Sequence, residues 1–148
     1  MICLTVIIPL IIYLYMLIHS YKCTDDIDCI SDIAYDSHKA MFPICMTTIA
    51  ICLFIGMFIT TTAPLCWLAI LPTISIIGVG FTPYKDGKTL HNLHYTFALM
   101  SFISTFVLWS IKGWWFIPFL FCIAALRKKW LLGLEMGLIG SGFLYILL

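Results

Sequence analysis

From Ala40 to Tyr84 the chain carries no charged side chain and no histidine, and Ile, Leu, Met, Phe, Thr and Cys fill most of the stretch. A run of this kind is longer than one bilayer crossing, which takes about 20 apolar residues. Pro64, in the uncharged hairpin Thr60-Thr-Thr-Ala-Pro64, divides it into two segments. The same alternation of long apolar runs and short polar gaps continues on both sides. It gives six spans, over 1–20, 42–61, 65–81, 90–111, 114–126 and 130–148. The expected fold is therefore all-α: a polytopic membrane helix bundle of six transmembrane helices, one domain over 1–148. The fifth is short: the stems of Lys112 and Arg127 could extend it by reaching toward the headgroups, and a re-entrant segment is the alternative. With 63% hydrophobic and 10% charged residues, an ordinary soluble domain is excluded.

The first span lacks the basic start and the small-residue cleavage site of a signal peptide, so it reads as a retained helix, with Pro9 placed to kink it. Of the seven cysteines, Cys3, Cys45, Cys52, Cys66 and Cys122 lie in apolar runs and act there as small hydrophobes. Cys23 and Cys29 lie in a polar loop and could pair in an oxidising compartment. A net charge of +1 without a basic stripe offers nothing to nucleic acid, so the expected partners are membrane lipids and a second copy of the chain.

Six spans put loops one, three and five on one face. That face collects His19, His38, His91 and His94, the five aspartates of 21–41, Asp86, and every Lys and Arg except Lys112. The centre of this polar face is Phe81–Ala98. Pro83 and Gly87 break the backbone, Thr89 is placed to cap a new helix, and His91 and His94 fall in its first turns. A spacing of three predicts that the two imidazoles share a helix face. Ser31 and Asp32 from loop one, with Asp86, His91 and His94, form the candidate catalytic set, since carboxylates beside imidazoles can activate water directly or through a metal. The sequence leaves cofactor and metal open, and a zinc site using His19 or His38 has no familiar spacing. In the last span Gly133, Gly137 and Ser141 recur every four residues, a face that allows close helix approach. Glu135, off that face, reads as an acid paired with Arg127-Lys-Lys129.

Two stretches resemble the Frag1/DRAM/Sfk1 family and a related prokaryotic six-span family of unknown function. Ile30-Ser-Asp-Ile-Ala34 with Ala40-Met-Phe-Pro43 is similar to an Ile-Ser-Asp-x-Gly motif followed by Phe. Gly78-Val-Gly-Phe-Thr-Pro83 with His94-Tyr-Thr-Phe-Ala98 is similar to Gly-x-Phe followed by His-Tyr-x-Gly-Ala. Ala34 and Phe97 depart from the pattern. The resemblance implies exoplasmic first and third loops, and we take that orientation for the histidine-bearing face, although counting Lys and Arg places that face in the cytoplasm. Lipid remodelling, lipid-kinase regulation and autophagy are all linked to the family, so it implies no single activity.

Three functions follow. The first is a non-catalytic membrane protein that binds lipid or a membrane partner through the His/Asp cluster. The alternative is an interfacial lipid hydrolase or acyltransferase using that cluster, and the third is a small oligomeric transporter or a haem protein.

Overall fold

The computed structural model describes residues 2–23, 40–83, 85–120 and 130–148. Some side chains inside the first and last helices, including those of His19 and Lys22, fall outside the description, as does the packing of Gly133 and Gly137. The described residues form helices and turns without a strand. Helix α1 spans Ile2–Cys23, α2 Met41–Thr60, α3 Ile70–Phe81, α4 Lys88–Ile111 and α5 Trp130–Leu147. A 3₁₀ helix, η1 (Leu65–Ala69), leads directly into α3, and residues 117–120 are helical.

The breaks between helices have local causes. After α2 the backbone turns extended at Thr61 (φ −92°, ψ 135°), just before the cis Ala63–Pro64 peptide. Pro72 is accommodated early in α3, where η1 has already set the helical course. That helix stops at Thr82, as expected for the residue before a proline. Gly87 then takes φ +122° at the start of α4, a conformation that side chains with a Cβ disfavour. At the far end Gly113 (φ +78°) closes α4. Its N–H donates to Ser110 O at 3.0 Å and the Trp114 N–H donates to Trp109 O at 3.0 Å. This pair of bonds is the Schellman arrangement.

Helix α2 packs against α1, α3 and α5, and α3 against α4, while α5 also touches α1 and α4. Short connections on either side of α3 make successive helices antiparallel neighbours. Ile49, Ala50, Leu53 and Met57 of α2 are buried at the centre with Leu108, Trp109 and Tyr145. Small residues set the closest approaches. A Cβ added at Gly142 would lie 3.1 Å from Met57 Cε and 3.3 Å from Leu53 Cδ1, and one at Gly56 would overlap Ile146. Ser141 is fully buried, and its neighbour Gly142 meets α2.

Two helices, Met41–Thr60 and Lys88–Ile111, are long and apolar enough to cross a membrane. Only 39% and 33% of their apolar windows are buried within the protein, so neither is the enclosed core helix of a globular domain.

Candidate functional site

Helix α4 is inverted relative to a helix on the surface of a soluble protein. Its buried positions are His94, Ser101, Ser104, Thr105, Leu108 and Trp109. Its exposed ones include Leu93, Leu99, Met100, Ile103, Val107 and Ile111. A polar stripe of His94, Ser101, Ser104 and Thr105 faces inward, while Lys88, His91, Asn92, Thr96 and Ser110 are exposed.

His94 stands at the head of that stripe. The turn at 82–87 folds the start of α4 back against the end of α3, which brings the imidazole to the Thr82 carbonyl at 2.7 Å. A carbonyl oxygen can only accept, so Nδ1 carries a proton and donates it to Thr82 O. The Thr82 hydroxyl is in turn held by the Gly78 carbonyl at 2.7 Å. On the other edge of the ring, Nε2 lies 3.8 Å from Glu135 Oε1 of α5, with side-chain exposures of 3% and 10%. With Nδ1 committed, attraction across this gap requires one further proton, held either by the imidazole or by the carboxyl. Tyr13, buried in α1, is within electrostatic reach of Glu135. One end of the bundle thus joins α1, α3, α4 and α5 around a single imidazole–carboxyl pair.

Beside the pair is a cavity of about 20 Å³, lined by Phe42, Met46, Ile76, Val79, Ser101 and Glu135 among others. Such a volume holds a group the size of one water and no substrate. Ser101 is buried at its edge, and its hydroxyl has no protein partner.

The residues expected to form a catalytic set occupy different environments. His94 is 2% exposed, whereas His91 is exposed and stacks on Tyr95 with ring centroids 4.7 Å apart. Both rings lie against Tyr95, but only His94 enters the bundle. A separation of three residues rotates them by about 60°, enough to put one inside and the other outside. Asp86 is exposed in the turn, where its N–H donates to Pro83 O at 3.4 Å. Ser31 and Asp32 lie outside the described residues, as do Cys29, His38 and Arg127–Lys129. The residues whose role the sequence reading missed are Thr82, which supplies a backbone carbonyl, and Glu135, which faces His94. Glu135 carried a signal. An acid deep in an apolar run needs a partner, and His94 is one of the few polar groups placed to provide it.

At the opposite end a second polar group forms around Tyr145. Its hydroxyl and that of Thr61 share a hydrogen bond of 2.8 Å, and its ring meets Trp109 edge-on at 5.2 Å. Lys112 Nζ donates to Tyr145 O at 2.9 Å and lies 4.1 Å from the Tyr145 ring centroid.

Among the described residues, no group of three or more His, Cys, Asp or Glu side chains could hold a metal ion. Comparison of the chain with family models, curated proteins and solved structures finds no match.

Proposed function

We propose that this chain is a multi-pass membrane protein with a non-catalytic role, a six-span bundle in contact with membrane lipid. The observation that carries the reading is the inversion of α4. Its His94 imidazole and the Ser101, Ser104 and Thr105 hydroxyls face the bundle interior, while Leu93, Leu99, Met100, Ile103, Val107 and Ile111 face outward where lipid chains would lie. Without water, polar groups in a bilayer must find partners in the protein. Hydroxyls on these helices do so locally. Thr48 bonds to Ile44 O at 2.8 Å, Thr96 to Asn92 O at 2.8 Å and Ser110 to Phe106 O at 2.8 Å, each one turn back on its own helix.

In this reading Thr82, His94 and Glu135 form a structural tie rather than a reaction centre. Nδ1 is bonded to a carbonyl, Nε2 faces a carboxyl, and the adjoining cavity is too small for a substrate. Lipid headgroups or a membrane partner are met instead by the exposed rim of this end, which carries Lys85, Asp86, Lys88 and His91.

The test uses the chain reconstituted in phospholipid vesicles. It should remain in the membrane through an alkaline carbonate wash and should release neither fatty acid nor lysolipid. Release from the membrane refutes the membrane assignment. Lipid turnover that His94→Gln abolishes refutes the non-catalytic one and restores the hydrolase or acyltransferase alternative.

A further inference from the structure

We propose that Lys112 binds the phosphate of an anionic phospholipid, at the end of the bundle opposite His94. This rests on the membrane reading above but concerns a site that reading does not use.

Lys112 is fixed in place by buried groups. Its ammonium is bonded to the Tyr145 carbonyl and lies against the Tyr145 ring, and Tyr145 is in turn held by Thr61 and Trp109. An ammonium has three N–H donors. One is used by the carbonyl and the ring faces another side of the group, which leaves a direction open to an outside acceptor.

No acidic side chain among the described residues neutralises the charge. Among the described residues no carboxylate lies within salt-bridge distance of Lys112. Asp86 precedes the start of α4, roughly 36 Å of helix away, and Glu135 is about 15 Å along α5 from Tyr145. Desolvation by burial lowers the Lys112 pKa from its ordinary 10.5, a cost that a bound anion would offset.

The surroundings choose the kind of anion. The Schellman turn at Gly113 carries the chain straight into Trp114 and Trp115, which are 51% and 56% exposed, and exposed Phe116 follows. Indole rings beside a cation match the level where headgroup meets acyl chain. A phospholipid satisfies both features, phosphate on the ammonium and glycerol backbone against the rings. Free phosphate satisfies only the first.

The test measures quenching of tryptophan fluorescence in vesicles by brominated phosphatidylglycerol and by brominated phosphatidylcholine. The wild type should be quenched preferentially by the anionic lipid. Lys112→Gln should lose that preference by roughly fivefold, the scale of one lysine at a membrane surface. Lys112→Arg should keep it, and excess inorganic phosphate should leave it unchanged. Lys112→Met, which retains the apolar stem, replaces Lys112→Gln if the latter does not fold. Equal preference in wild type and neutral variant overturns the site. So does an equal loss in Lys85→Gln, which would show diffuse attraction, or competition by inorganic phosphate. A carbonate wash on the same vesicles separates the two failures. Protein that washes off refutes the membrane reading, and protein that stays without lipid preference refutes this site alone.

Discussion

Replacing Glu135 and His94, singly and together, measures how much the pair contributes and whether it acts as a tie. The separation of 3.8 Å is too long for a good hydrogen bond. With the shared proton on the imidazole, two unit charges near 4 Å would interact by about 4 kcal/mol at an effective dielectric of 20, an upper bound for the pair. Desolvation of two buried ions cancels much of that, leaving a coupling of about 1–2 kcal/mol. Glu135→Gln removes the charge while the bond from Nδ1 to Thr82 O survives, and should cost about 1–2 kcal/mol. His94→Ala removes that bond as well and empties a buried ring site, so about 2–4 kcal/mol is expected. The assay is reversible unfolding in mixed micelles, followed by circular dichroism. The double variant should cost clearly less than the sum of the singles. Strict additivity would show that the two side chains do not act together and would remove the tie from the proposed function.

Smaller changes probe the rest of the bundle. Gly142→Leu should lower the yield of folded protein, because Met57 and Leu53 already occupy the space a side chain needs; an unchanged yield removes the α2–α5 contact. Tyr145→Phe strands the buried Thr61 hydroxyl and should cost about 1–3 kcal/mol, with part of the loss restored by adding Thr61→Val; no recovery would show that the hydroxyl pair is not the cause. Ser101→Ala deletes a buried hydroxyl without a protein partner and should be neutral or stabilising by up to about 1 kcal/mol, so a clear loss in thermal stability contradicts it. With its folded pKa below 10.5, Lys112 is disfavoured in its charged form by folding, so the unfolded chain holds more protons as pH approaches 10.5. In zwitterionic micelles wild-type stability should therefore rise relative to Lys112→Gln over that window, and parallel pH profiles refute it.

The helical character of the chain was legible because apolar runs and backbone breakers agree. Pro64, Pro83, Gly87 and Gly113 each stand where a helix stops or starts. The position of Trp114 and Trp115 beside Lys112 was also visible, but not that Tyr145 would hold the lysine. The candidate site was only half legible. Sequence spacing assigns relative angles around one helix but does not say which angle faces inward, and in α4 it is the side carrying His94, Ser101, Ser104 and Thr105. His91 and His94 therefore read as a pair when only His94 enters the bundle. The pairing of Glu135 with Arg127-Lys-Lys129 falls on residues outside those described. The contact of Glu135 with His94 joins positions 41 residues apart, and local pattern holds no information about such a meeting.

The two polar groups share one element, and this bears on how so apolar a chain selects one arrangement. In the proposed membrane setting, apolar side chains gain little by moving from hydrocarbon to a neighbouring helix, so Ile and Leu contacts alone leave helices free to slide or rotate. Polar contacts and close glycine approaches do not allow that freedom. Glu135 near the start of α5 meets His94, and Tyr145 near its end meets Thr61 and Lys112. Between them Gly142 lies against Leu53 and Met57. Gly142 lies about two turns from Glu135 and just under one turn from Tyr145, so sliding α5 by a single turn would break both polar groups and drive a side chain into the glycine gap. The last helix is thus keyed at both ends to helices that precede it. The few polar residues in the described core set the register, and the apolar majority fills the space that this register defines.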